Sequence, residues 1–99
     1  MKLHKIDHVG IVVKDFATAL AFFLELGLEV QGEGIAEGDW VGNVIGLQDV
    51  KVAYAMLWTP DGGANIELIH FHRPPAEEGS QQSVVNTPGI RHLAFVVED

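Results

Sequence analysis

Residues 6–15, IDHVGIVVKD, recur in a closely similar form at residues 90–99, IRHLAFVVED. Five of the ten positions are identical at a constant offset of 84 residues. The identical pairs are Ile6 with Ile90, His8 with His92, Val12 with Val96, Val13 with Val97 and Asp15 with Asp99. Apolar strands resemble one another by chance, but a histidine and a helix-capping aspartate kept in register indicate an internal repeat. We therefore interpret the chain as one structural unit followed by the start of a second copy.

The residues around the first repeat predict a strand, a helix and a stop signal. Residues 5–13 are rich in β-branched side chains, which favours a strand. Asp15 is suited to cap a helix over residues 16–26, and Gly27 is suited to end it in the left-handed conformation. The helix has a wide apolar face, so we expect it to pack on a sheet.

Three further strands are predicted downstream. Residues 28–35 alternate at period two, and β-rich runs at 50–58 and 64–72 flank a Thr-Pro-Asp-Gly-Gly turn that is typical of a hairpin. We interpret Gly32, Gly34 and Gly38 as turn and bulge residues, because their spacing fits no phosphate-binding fingerprint and no helix is predicted after them. Residues 36–46 are rich in glycine, and their pattern assigns them no conformation. The resulting β-α-β-β-β order predicts an α+β fold.

The rest of the chain suggests a division into three parts. The proline-rich and polar residues 73–89 predict a surface linker, and residues 90–97 predict a last strand. We expect a first module at residues 1–72, the linker at 73–89, and the first strand of a truncated second module at 90–99. Two outcomes stay open: a fragment of a two-module protein, or a homodimer in which each copy completes the other.

Composition and charge exclude several classes of protein. The 99 residues include 14 acidic and 6 basic side chains, which give a formal net charge of −8. Because the basic residues are few and scattered, we expect binding to neither nucleic acid nor a membrane. There is no cysteine, so imidazole and carboxylate groups must hold any metal. No signal peptide or membrane-spanning run is apparent, and a cytoplasmic location is expected.

Two histidines and a glutamate are candidate metal ligands. Residues of equal parity share one face of a strand, which puts Glu67 among apolar neighbours on a strand expected to be central. Burial of an unpaired carboxylate is costly, so Glu67 needs a salt bridge or a metal. His8 alone is more often a hydrogen-bonded core residue, but its repetition as His92 favours a site of two histidines and one glutamate. His70 and His72 have the opposite parity and belong to the other face.

These segments resemble the vicinal oxygen chelate superfamily, which includes glyoxalase I, methylmalonyl-CoA epimerase, extradiol dioxygenases and the bleomycin resistance proteins. The resemblance is carried by residues 6–15, 22–30, 65–71 and 89–99. It implies paired βαβββ modules of the glyoxalase/bleomycin resistance/dioxygenase fold, with sheets that curl around a metal site.

The resemblance also implies a ligand set and a cofactor. It implies that His8, Glu67 and His92 are three of four ligands of a divalent metal ion, which would be nickel, zinc, cobalt, manganese or iron. The fourth ligand of the family, a glutamate near the end of the second module, has no counterpart in these 99 residues.

The function implied first is that of a glyoxalase-like isomerase, lyase or epimerase. In such an enzyme the metal binds two adjacent oxygens of a small-molecule substrate and stabilises the enediolate or enolate left by proton loss. We expect Glu67 to be catalytic as well as metal-binding. The alternatives are an extradiol-type dioxygenase and a metal-free protein that binds a small molecule or antibiotic, with Trp40, Tyr54 and Trp58 lining the cleft.

Overall fold

The computed structural model of the chain describes residues 1–75, 86, 88–90 and 92–98. These residues form four strands and two helices. Their bounds are β1 His8–Val12, α1 Phe16–Glu25, β2 Glu29–Glu37, α2 Asp39–Ile45, β3 Lys51–Trp58 and β4 Asn65–Arg73. The predicted βαβββ order is confirmed, with α2 as an addition between β2 and β3.

The strands form one mixed sheet in the spatial order β1-β4-β3-β2. Strands β2, β3 and β4 are antiparallel neighbours, whereas β1 is parallel to β4. The chain crosses from the β1 edge to the β2 edge through α1 and then returns strand by strand. The first and last strands along the chain, β1 and β4, are therefore neighbours in the sheet. The predicted α+β fold class is confirmed.

The main core lies between α1 and one face of the sheet. Six buried side chains form it: Phe23, Leu28, Ala55, Leu57, Ile66 and Leu68. Along β4, the buried Ile66 and Leu68 alternate with the less buried Glu67, as the period of two in a strand requires. Glu67 therefore points to the side of the sheet opposite α1, which we call the Glu67 face.

The ends of α1 follow the predicted signals. The Asp15 carboxylate accepts hydrogen bonds from the Thr18 backbone N–H at 3.0 Å and from the Thr18 hydroxyl at 2.8 Å. Gly27 follows the helix with φ of 101°, a backbone conformation that side-chain-bearing residues rarely adopt. The aspartate cap and the glycine stop are both confirmed.

Helix α2 is not among the predicted elements, because the pattern of residues 36–46 assigns them no conformation. It begins after Gly38 and ends at Gly46, whose φ of 80° is the left-handed conformation typical of a helix end. Val41 packs with Val50 and Val52 in a second small core on the Glu67 face. Tertiary packing thus stabilises a short, glycine-containing helix that local propensity does not favour. Within the described ranges, neither helix has the length and apolarity to cross a bilayer.

The last predicted strand is not formed in the described part of the C-terminal region. Residues 92–98 make no strand, although their sequence favours one. A strand forms only where a neighbouring strand pairs with it through hydrogen bonds. High β propensity alone does not provide such a partner for residues 92–98. The Phe95 ring instead packs edge-on against Phe23 of α1, with ring centroids 6.2 Å apart. Most of the predicted linker at 73–89, and also Arg91 and Asp99, lie outside the described residues.

Candidate functional site

His8 and Glu67 lie on the same face of two adjacent parallel strands. In the β1–β4 register, Gly10 is opposite Glu67, and His8 precedes Gly10 by two residues. Residues two apart in a strand share a face, so the imidazole and the carboxylate both belong to the Glu67 face. Two strands that are distant in sequence therefore carry His8 and Glu67 on one face of the sheet.

Gly10 leaves space for the Glu67 carboxylate above β1. A Cβ atom built on Gly10 would lie 3.9 Å from Oε1 of Glu67 and 3.3 Å from Cδ1 of Ile69. The Glu67 side chain consequently extends over the neighbouring strand towards the side on which His8 lies. Because Gly10 has no side chain, the Glu67 carboxylate can approach β1 on the face that also carries His8.

The neighbouring residue Asp7 holds the ring of His8. Nδ1 of His8 lies 2.7 Å from Oδ2 of Asp7, and both side chains are substantially exposed. This hydrogen bond is the largest effect on the pKa of His8 and raises it above its ordinary value; desolvation opposes it, and the negative charge of Glu67 raises the pKa by a smaller amount. The same hydrogen bond lowers the pKa of Asp7. When Nδ1–H donates to Asp7, the lone pair of Nε2 stays available for a metal.

The third predicted ligand, His92, is not gathered with the other two. His92 is exposed, and no three His, Asp or Glu side chains of the described ranges are grouped as a metal site requires. His8 and Glu67 thus share one face of the sheet, and the described residues do not gather His92 with them. An imidazole nitrogen and a carboxylate oxygen suit a divalent transition metal, so the paired donors fit the expected cofactor as part of a larger set.

His70 lies away from the candidate ligands, as its parity predicts. Its Nδ1 is 3.1 Å from the backbone oxygen of Val13, and its ring packs edge-on against His72 with centroids 4.9 Å apart. His70 therefore belongs to the side of the sheet that carries α1.

A polar pair that the sequence did not reveal lies beside Glu67. The Asn65 side-chain amide donates a hydrogen bond of 3.1 Å to Oε1 of Gln31, a residue of β2. Asn65 precedes Glu67 by two residues on β4 and shares its face. Gln31 sits at the irregularity in the β2–β3 register between Val30 and Gly32. Sequence alternation alone cannot place such a bulge, which explains why the pair was missed.

An apolar cavity of about 580 Å³ adjoins Glu67 on the same face. Helix α2 provides Trp40, Val41 and Ile45, and the sheet provides Tyr54 together with Glu67 itself. Of the three aromatic residues expected to line a cleft between modules, Trp40 and Tyr54 border this cavity within one module. The third, Trp58, lies outside this cavity and donates from Nε1 to Oε2 of Glu29 at 3.3 Å.

The mixed four-stranded sheet and the crossover helix α1 form a βαβββ module of the glyoxalase type. Residues 7–99 match the Glyoxalase/Bleomycin resistance protein/Dioxygenase superfamily, and the chain belongs to this family. The structure is similar to that of a glyoxalase family protein from Bacillus cereus, with a TM-score of 0.89 and 41% sequence identity.

That similarity covers 100% of this chain and 66% of the solved chain. The chain therefore spans slightly less than two thirds of the length of this relative. A comparison with curated proteins gave no match. The family membership predicted from the internal repeat and the His-Glu-His pattern is confirmed.

Proposed function

We propose that the chain forms part of a glyoxalase-like metalloenzyme, an isomerase, lyase or epimerase that acts on a small molecule with two adjacent oxygens. The proposal depends on one observation above all: His8 and Glu67 lie together on one face, with His8 oriented by Asp7. A carboxylate that orients a metal-binding imidazole is a recurrent feature of protein metal sites. The confirmed family membership supports the same function.

In this proposal His8, Glu67 and His92 hold the divalent metal, and Glu67 also takes part in proton transfer. When bound, the metal would polarise the substrate oxygens and stabilise the negative charge left by loss of a carbon-bound proton. The Glu67 carboxylate borders the apolar cavity, so it faces the space in which a substrate would lie. Asp7 keeps Nδ1 of His8 occupied, which leaves Nε2 as the donor atom.

We further propose that two copies of the chain associate, with His92 of one copy joining His8 and Glu67 of the other. Within the described residues, β1 is an edge strand with β4 as its neighbour, so its outer side can pair with a second chain. A donor that lies apart in one chain can complete a site across a two-fold interface. Light scattering should give twice the mass of one chain, whereas a monomer at all concentrations would contradict this association.

Metal titration of an untagged chain tests the enzyme proposal. We expect calorimetry with Ni²⁺, Co²⁺ or Zn²⁺ to show a saturable site that His8→Ala and Glu67→Ala each weaken by at least about tenfold. His72→Ala is the matched control, because it removes an exposed histidine from another part of the sheet. Equal weakening by all three substitutions would indicate adventitious binding, and no binding by the wild-type chain would refute the proposal.

A metal-free binding protein is the second candidate, and the apolar cavity favours it. Trp40 and Tyr54 provide aromatic surface to a space of about 580 Å³, within the range of small-molecule pockets. Such a protein would bind its ligand with the same affinity before and after exhaustive chelation. A glyoxalase-like enzyme would instead lose turnover on chelation and regain it with a divalent metal.

A further inference from the structure

The cavity beside Glu67 is lined mainly by apolar side chains, with the carboxylates of Glu37 and Glu67 as its charged groups. Its inner surface is formed by Tyr54, Ile69 and Phe71 of the sheet, and its outer surface by Trp40 and Ile45 of α2. The carboxylate of Glu67 borders this apolar space from the sheet side. A ligand whose polar atoms meet Glu67 would therefore have to place its remaining part among aromatic and branched side chains.

The apolar side chains around the cavity are more exposed than a core would leave them. The exposed fraction is 66% for Trp40, 59% for Ile35 and 46% for Ile45, and all three border the same space. Single exposed apolar residues are common on protein surfaces, but a group that surrounds a cavity is typical of a binding site. The volume of about 580 Å³ suits one small molecule.

Charge around the cavity selects against anionic groups. Two carboxylates, those of Glu37 and Glu67, border it, and no Lys or Arg of the described residues does so. Arg73 does not line the cavity, but its guanidinium forms an ion pair with the lining residue Glu37 and a second one with Asp49. Its Nη2 is 3.3 Å from Oε2 of Glu37, and its Nε is 3.2 Å from Oδ1 of Asp49. A phosphate in this cavity would meet carboxylates and no unengaged cation, an arrangement that is strongly unfavourable.

We propose that this cavity binds the apolar arm, aryl or branched alkyl, of a substrate that carries no phosphate in that arm. The inference rests on the proposed function in one respect: the two adjacent substrate oxygens are taken to lie at Glu67. That the arm of the substrate is apolar is inferred from the cavity alone. The substrate class is then an uncharged α-hydroxyketone or a related dioxygen compound with a hydrophobic substituent. Trp40 supplies the largest apolar surface at the entrance, and Glu37 keeps Arg73 from attracting phosphate.

Two α-hydroxyketones that differ in the arm give a matched test. Uniformly ¹⁵N-labelled, metal-free chain is titrated with α-hydroxyacetophenone, which has a phenyl arm, and with dihydroxyacetone phosphate. The two tryptophans give two indole N–H signals, one from Trp40 in the cavity and one from Trp58 outside it. We expect the phenyl ketone to shift the Trp40 signal and leave the Trp58 signal in place, with binding at least about tenfold tighter than the phosphate ketone.

Substitutions test the walls and the charge separately. Ile45→Ala should weaken binding of the phenyl ketone severalfold, whereas Val44→Ala, on the same helix but outside the cavity lining, should not. Glu37→Gln should raise the affinity for the phosphate ketone severalfold by releasing one contact of Arg73. Glu25→Gln makes the same change in net charge on α1 and should have no such effect. The comparison of the two ketones on the wild-type chain stands even when the Ile45 variant fails to fold.

Three results would overturn the inference. These are equal or tighter binding of the phosphate ketone, a Trp40 signal that the phenyl ketone does not shift, and a Trp40 signal that moves with protein concentration instead. The last result would show that a second copy fills the cavity. Because the titration uses no metal, its failure is distinct from failure of the metal titration: a chain that binds no metal but binds the phenyl ketone would refute the enzyme and keep the cavity assignment.

Discussion

Nδ1 of His8 lies 2.7 Å from Oδ2 of its sequence neighbour Asp7. Adjacent residues of a regular strand point to opposite faces, and Asp7 can turn towards His8 because β1 begins only at His8. Asp7 therefore orients the His8 ring from outside the strand and occupies no position on either face of β1. A carboxylate immediately before a histidine at the start of a strand is thus able to fix the ring and to leave its Nε2 atom outward.

Asp7→Asn should lower the pKa of His8 towards its ordinary value. The Asp7 hydrogen bond and the Glu67 charge raise that pKa, so the interaction stabilises the fold below the ordinary pKa of histidine and is lost as the pH rises through the raised pKa. Ring-proton NMR of the metal-free chain measures the shift directly. Glu25→Gln changes the net charge equally and should leave the His8 titration in place. An unchanged His8 pKa in the Asp7→Asn chain would contradict the assignment.

Gly10→Val should weaken metal binding while the fold persists. A Cβ at Gly10 already meets Cδ1 of Ile69 at 3.3 Å, and the larger valine would push the Glu67 carboxylate away from β1. We expect a loss of affinity of roughly ten- to a hundredfold by calorimetry, the range found when the support of a ligand is disturbed. Gly32→Val is the control, because a Cβ there meets no atom within 4 Å. Equal affinity in the two variants would show that Glu67 is not a ligand.

Asp15→Ala should destabilise the chain at neutral pH and have little effect in acid. The backbone N–H of Thr18, and then its hydroxyl, lower the pKa of the Asp15 carboxylate. Its stabilising effect is therefore present above the ordinary carboxyl pKa and is lost as the pH falls through the lowered value. Thermal unfolding of both chains across this range measures the difference, which should shrink steadily towards acid pH. Asp15→Asn retains a capping side chain without the charge, so it should lie between the two.

Leu57→Ala should lower the free energy of unfolding by about 2–5 kcal/mol. Leu57 is fully buried in the core between α1 and the sheet, and its truncation would leave a cavity. Val44→Ala is the control: Val44 is 77% exposed, so the change should stay within about 0.5 kcal/mol. Urea unfolding followed by circular dichroism measures both values. A loss below 1 kcal/mol, about the value of one methylene group, would contradict the position of the core.

Local patterns predicted the strands and α1 because each leaves a short-range signal. Alternation put Glu67 opposite Ile66 and Leu68, and the Asp15 and Gly27 signals fixed the ends of the helix. Helix α2 left no comparable signal, since it is short and its stability comes from the packing of Val41 on Val50 and Val52. The position of His92 depends on which strand lies beside residues 92–98, and pairing of that kind is not encoded locally.

The parallel pairing of β1 with β4 also sets the order in which the site can form. Strands β2, β3 and β4 are antiparallel neighbours joined in sequence, so they can assemble through contacts that are local in the chain. Strand β1 can join the sheet only by pairing with β4, which is its neighbour in the sheet. Closing that long loop carries an entropic cost before any contact repays it. Sequence separation therefore predicts that His8 joins Glu67 after strands β2, β3 and β4 have assembled, so a bound metal would report a fully folded module.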